Sequence, residues 1–285
     1  MALITLTTDF GLKDHFVGAV KGAIYSELPE ANIVDITHEI TPFNIAETAY
    51  ILKNAYKSFP KGTIHIVGVD SELSSQNKHI ALLLDDHYFI CPDNGIISMI
   101  ASEINPSKIV EINIHNHIES SFPVLDVFVK VASFIARGGK LDVVGKEIST
   151  FKKMVEIQPK VNQEKTIIVG GVIYIDNYGN VISNISKKMF VEIGKDRPFK
   201  VTARRYTFDK IHNQYNEIVN FESSDIRQFD GKKLALFNSA NYLEIAIYRS
   251  NLKTVGGAST LLGLDYRDRI TIEFTNPSTP DFTTI

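Results

Sequence analysis

The rhythm of the first 70 residues constrains this chain most. Ala2 to Thr7 is a short β-branched run that breaks into the turn-prone Asp9, Phe10 and Gly11, the pattern of a buried strand entering a loop. Val17, Val20, Ile24 and Leu28 then recur at helical offsets, on one face of a helix that Pro29 closes. Asn32 to Ile36 reads as a second strand. Ile45, Ala49, Leu52, Tyr56 and Phe59 repeat the helical spacing, and Pro60, Lys61 and Gly62 stop it before a third strand, Thr63 to Val69. Strand, helix, strand, helix, strand predicts an α/β fold, a mainly parallel sheet with helices on both faces.

Ile80 to Leu84 and Tyr88 to Cys91 read as a hairpin around Asp85 and Asp86, followed by Pro92, Asp93, Asn94, Gly95 and a short helix, and Lys108 to Ile112 adds a strand. Ligands of such sheets bind beyond the strands' C-terminal ends. The loops 8–15, 37–44 and 70–78 are therefore expected to converge. The polar run KVNQEKT at 160–166 reads as a linker, after which Ile167 to Ile175, Leu234 to Phe237, Tyr242 to Ile247 and Arg269 to Phe274 are short β-like runs. They predict a smaller β-rich barrel or sandwich. The expected organisation is an α/β domain over 1–158, a β-rich domain over 166–274, and a disordered tail over 275–285.

Apolar residues at 44% and charged residues at 22% suit a folded chain. A net charge of −3 without clustered Lys and Arg disfavours nucleic acid. Cys91 is the only cysteine, which excludes an intramolecular disulfide, fits a reducing compartment and reads as a buried strand residue. The start MALITLTTDF lacks a basic leader, and no apolar run nears the ~20 residues a membrane span needs. The expectation is a cytoplasmic protein with no membrane partner.

Thr7, Thr8, Asp9, Phe10, Gly11 and then Asp14 put two carboxylates between the first strand and first helix. They either cap the helix or accept the hydroxyls of a ribose. The tripeptide Asp9, Phe10, Gly11 is no kinase signature, because neither a glycine-rich loop nor an HRD loop accompanies it. No G-x-G-x-x-G follows the first strand, which disfavours nicotinamide and flavin cofactors; Gly18 and Gly22 read as close helix packing. Asp70 at the end of the third strand is a turn residue or a group that orients a nucleophile. His115 and His117 alternate along a strand end, but no metal-ligand spacing accompanies them, so no metal is expected. Asp176, Asn177, Tyr178, Gly179 and Asn180 form a turn or a purine clamp, with a ring to stack and an amide for the base edge. Asn238, Ser239, Ala240 and Asn241 make a similar polar turn.

TLTTDFGLKD at the start, ITPF at 40–43, PDNG at 92–95, IDNYGNVISNI at 175–185 and the run NSANYLEIAI together resemble the S-adenosylmethionine hydroxide adenosyltransferases. Relatives of that family include the S-adenosylmethionine-dependent fluorinase and chlorinase. The resemblance implies a homotrimer with S-adenosylmethionine at each subunit interface and metal-free displacement of methionine from the ribose 5′ carbon. It implies that Asp9 holds the ribose hydroxyls with Phe10 beside it, Asp14 the methionine amine, and Phe43 the ribose and sulfonium region. Tyr178 and Asn180 would hold the adenine, Asp176 their loop, and Ser239 the methionine carboxylate.

The family's hydrolases carry an Asp in a DPGVG segment, an Arg seven residues later and a His in an HGRD segment. Here Asp70 keeps the first place, Asn77 stands at the second, and Pro123, Val124, Leu125, Asp126 replace the third. Lys78 is a candidate for a restored positive charge near Asp70, and Val124 and Leu125 are expected to make the nucleophile's side less polar. Hydrolysis with Asp70 as the catalytic group beside the water is the first reading. Binding or sensing of S-adenosylmethionine or adenosine without turnover is the alternative, and halide transfer comes third.

Overall fold

The computed structural model describes residues 2–101, 104–114, 120–155 and 157–275. His115, His117 and the expected tail beyond Thr275 lie outside the described residues. The chain divides into two compact units, Met1–Glu156 and Ile157–Ile285.

In the first unit β1 (Leu3–Thr8), α1 (Phe16–Glu27), β2 (Asn32–Thr37), α2 (Ile45–Ala55) and β3 (Ile64–Gly68) follow in that order. Then come β4 (His79–Leu84), β5 (His87–Pro92), α3 (Ile96–Ile100), β6 (Lys108–Ile112), α4 (Val129–Ala136), α5 (Leu141–Val144) and β7 (Gly145–Glu147). The sheet runs β2-β1-β3-β5-β4-β6-β7. β1, β2, β3 and β5 are mutually parallel, while β4 is antiparallel to β5 and β6, and β7 to β6. The β4–β5 turn needs positive φ at both central residues, and Asp85 and Asp86 supply 51° and 62°.

Both faces of this sheet are covered, which is why its central strands read as unbroken apolar runs. Val20 and Ile24 of α1 and Val131 and Ile135 of α4 join Ile4, Leu6 and Ile66 in one core; Ala49 and Leu52 of α2 and Ile96 and Ile100 of α3 join Val67, Ile80, Leu82 and Phe89 in another. Cys91 is buried in β5, and burial pushes its thiol well above the ordinary pKa. Gly18 and Gly22 do not serve helix packing here: both are exposed, and a Cβ on either would meet nothing within 4 Å. Val17, Val20 and Ile24 take the buried face. The chain passes from β1 to β2 on one side and crosses to β3 on the other, so the order reverses between β1 and β3, where doubly wound sheets open their ligand crevice.

The second unit contains β8 (Lys160–Val161), β9 (Ile167–Ile175), β10 (Val181–Ser186), α6 (Lys187–Gly194), β11 (Phe199–Ala203), β12 (Tyr206–Phe208), β13 (Ile211–His212), β14 (Lys233–Phe237), β15 (Tyr242–Ile247), α7 (Ala258–Leu261) and β16 (Arg269–Phe274). The polar run at 160–166 is a hairpin rather than a linker. Lys160 and Val161 pair with Val169 and Ile168, and the Asn162 side chain accepts the N–H groups of Thr166 and Ile167, both at 2.8 Å. β12 and β13 end the sheet order β12-β11-β16-β9-β10-β15-β14-β13, yet only Asp209 and Lys210 separate them in sequence. The sheet must therefore curl until its edges approach, a nearly closed barrel, filled by Ile168, Val181, Val201, Ile245 and Ile270. Thr275, the first residue of the expected tail, donates its N–H to the Pro198 carbonyl at 2.9 Å. No helix among the described residues is long and apolar enough to cross a membrane.

Candidate active site

Asp9 leaves the end of β1 at the point where the strand order reverses. Its Oδ2 accepts the N–H of Phe43 at 2.9 Å, and the N–H groups of Asp70 and of Asp9 itself also bond to its carboxylate. The loops after β1, β2 and β3 thus meet at one half-buried side chain, as the strand pattern predicts. Burial, helped by the charge of Asp70, outweighs these donors and holds the Asp9 carboxyl above its ordinary pKa. Phe43 and Asp70 have φ of 63° and 49°, a left-handed conformation that costs ~1 kcal/mol or more for a residue with a side chain. Both strained residues turn their N–H toward the same carboxylate, and the Phe43 ring is left 71% exposed.

The loop after β3 is stapled by amides. Asn94, buried in the PDNG segment, donates to the carbonyl of Val69 at 3.1 Å, and Asn77 donates to the carbonyls of Asp70 and Glu72 at 2.7 and 3.0 Å. Asn77 therefore shapes the backbone around Asp70 and brings it no charge. Lys78 does not restore one: its Nζ lies 3.9 Å from Glu111 of β6. His79 Nε2 sits 2.9 Å from the carbonyl of Ser71, its ring edge-on to Phe128. Among the described residues no ion pair involves Asp70. Pro123 to Asp126 enter a π-helical turn, Val124–Phe128, that leads into α4. Val124 is fully buried against Gly68 and so belongs to the core, Leu125 packs partly buried on that core, and Asp126 accepts the hydroxyl of Ser120.

Phe10 packs with Phe16 and Phe122, ring centroids 5.9 and 5.4 Å away, so its side chain anchors the loop from below. Asp14 is exposed. Neither carboxylate caps α1, which has no side-chain cap and no acidic residue in its first turn.

In the second unit Asp176 organises the turn. Its Oδ1 accepts the N–H groups of Tyr178 and Asn180, both at 2.9 Å, and its Oδ2 accepts Nδ2 of Asn180 at 3.0 Å. Asn180 is 4% exposed with a buried Oδ1 that has no partner among the described residues, while the Tyr178 ring is exposed. Gly179 takes a φ of 78°, and Gly257 must be glycine, since a Cβ there would lie 2.7 Å from the Gly179 Cα and nearer still to the Tyr178 carbonyl. Ser239 is exposed in the β14–β15 turn, where Asn238 Oδ1 accepts the N–H groups of Ala240 and Tyr242. Beneath both turns Glu244 of β15 is 2% exposed and accepts the Tyr215 hydroxyl at 2.6 Å. Burial, reinforced by the charge of Asp176, pushes Glu244 up to about 7 against hydrogen bonds from Tyr215 and Asn238.

Sequence reasoning missed His38, Asn94, Glu244 and Gly257. Glu244 carried a signal, one charge inside the apolar run YLEIAI; His38 carried none. Among the described residues no group of three or more His, Cys, Asp or Glu could hold a metal ion.

The chain is thus an α/β protein with a half-buried carboxylate where the strand order of its doubly wound sheet reverses, and a β-barrel unit that bears an Asp-Asn-Tyr-Gly-Asn turn. Residues 4–145 match the SAM hydroxide adenosyltransferase N-terminal domain and residues 170–271 its C-terminal domain, so the chain belongs to the SAM hydroxide adenosyltransferase family. It is 31% identical, over 95% of both chains, to an (R)-S-adenosyl-L-methionine hydrolase of Methanocaldococcus jannaschii. A fluorinase of Actinoplanes is 23% identical over 65% of this chain and 72% of its own. An uncharacterized conserved protein from Thermotoga maritima has the same fold with a TM-score of 0.80 and 30% identity, over 95% of this chain and 99% of its own.

Proposed function

We propose that this protein hydrolyses S-adenosyl-L-methionine to adenosine and L-methionine. Similarity along 95% of both chains to a relative named for that reaction carries the reading. Water oxygen bonds to the ribose 5′ carbon as the carbon–sulfur bond breaks; the bonding pair goes to sulfur, leaving the neutral thioether of methionine, and the water proton passes to Asp70 and on to solvent. A sulfonium departs without an acid, so the reading assigns no metal or cofactor.

Each side chain then has a task. Asp9 accepts both ribose hydroxyls, and its backbone donors keep it from rotating, which favours in-line attack. The Phe43 ring faces the sulfonium cation, Asp14 the methionine amine, and Ser239 the methionine carboxylate. Tyr178 stacks on the adenine and Asn180 meets its edge, held by Asp176; Phe10 supports the Asp9 loop. We assign a homotrimer with S-adenosylmethionine at each subunit interface, a reading that exposed Phe43 and Leu12 support, and the cytoplasm as compartment, in keeping with the single buried thiol.

Incubation with the (R) and (S) sulfonium epimers, followed by chromatography for adenosine and methionine, tests this. Adenosine is expected from the parent and a rate lowered about 100-fold or more in Asp70→Asn. S-adenosylmethionine bound by calorimetry but recovered intact would replace hydrolysis with binding alone.

A further inference from the structure

We infer that His38 is a positioning residue for Asp9, gripping the loop on both sides of that carboxylate; the inference rests on the ribose-binding reading of Asp9. His38 is 3% exposed in the loop after β2. Its Nδ1 lies 2.7 Å from the Thr8 hydroxyl, and its backbone carbonyl accepts the N–H of Gly11 at 2.8 Å. Thr8 and Gly11 flank the Asp9-Phe10 pair, so one residue holds the loop before and after its functional side chain. Phe43, in the same loop as His38, gives Asp9 its N–H. Movement of His38 therefore moves both the base of the carboxylate and a donor that aims it.

On its other side Nε2 of His38 stands 3.1 Å from Oδ1 of Asp35, whose Oδ2 accepts Nζ of Lys21 at 2.6 Å. The Thr8 oxygen also accepts the Phe10 N–H, 3.4 Å away. The chain runs from a surface ion pair through a buried imidazole to the hydroxyl beside Asp9. Thr8 and His38 are 1% and 3% exposed, so their effect on binding passes through Asp9.

Calorimetry of adenosine against 2′,3′-dideoxyadenosine, which lacks the hydroxyls assigned to Asp9, isolates that effect. The parent is expected to prefer adenosine by about 10-fold or more. Thr8→Val should lose most of this preference while binding dideoxyadenosine as the parent does, and Thr8→Ser should regain it. A general packing defect would weaken both ligands alike. A Thr8→Val variant that keeps the parent's full preference overturns the inference; a parent that binds both ligands equally overturns the reading of Asp9 itself.

Discussion

Asp9 shows how a carboxylate can be aimed by backbone alone. Two of its donors come from residues in the left-handed region, and only one of them, Asp70, is of a type that tolerates it well. Phe43→Asn should therefore keep stability within about 1 kcal/mol of the parent, or raise it, while affinity for S-adenosylmethionine falls with the loss of the ring; melting and calorimetry on one sample separate the two. Gly257 makes the opposite case, a residue required for space. Gly257→Ala forces a Cβ against the backbone that carries Tyr178. The expected outcome is a loss of ~1–3 kcal/mol in folding stability together with weaker adenosine binding, and unchanged binding would show that the turn does not serve the base.

At the scale of elements, the π-helical turn before α4 and the end of β3 fit as knob and hole. A Cβ on Gly68 would come within 2.8 Å of Val124 and 3.3 Å of Phe10 and Thr8. Gly68→Ala should cost ~1–3 kcal/mol by overpacking, and Val124→Ala should cost a similar amount as a cavity. The double variant should be more stable than the sum of the two losses by ~1 kcal/mol or more, because each change relieves the other. Additive losses in chemical denaturation would mean that the turn and the strand do not share this space.

At the scale of the whole molecule, the two units carry opposite pH dependences. In the first, His65 of β3 is buried between the Thr5 hydroxyl and His87, and burial, then the charge of His87, holds its pKa to about 3. The unfolded chain takes up that proton near the ordinary 6.5, so this contribution is complete above about pH 6.5 and is lost as pH falls toward 3. In the second, Glu244 titrates near 7 rather than 4.5, so its contribution is complete below about pH 4.5 and is lost as pH rises to 7. At ~1.4 kcal/mol per unit, each amounts to a few kcal/mol. Calorimetric melting across pH 4 to 8 should show His65→Phe flattening the acid limb and Glu244→Gln raising stability at pH 8 but not at pH 4.5.

The sequence alone determined the order of strands and helices over residues 2–112, the hairpin at Asp85 and Asp86, the loops that meet at Asp9, and the turns around Asp176 and Asn238. These are local signals, because the periods of helix and strand and the φ demands of turns are set by neighbouring residues. Only the tertiary structure decided that Asn77 staples carbonyls, that Lys78 turns to Glu111, that residues 160–166 form a hairpin, and that His38 grips the Asp9 loop. Each of these depends on which strands lie side by side and which way a side chain points once they pair. Asp9 and Phe43 stand 34 positions apart and Thr8 and His38 stand 30 apart, and nothing in either segment alone specifies that the crossover around β1 brings them within hydrogen-bonding distance.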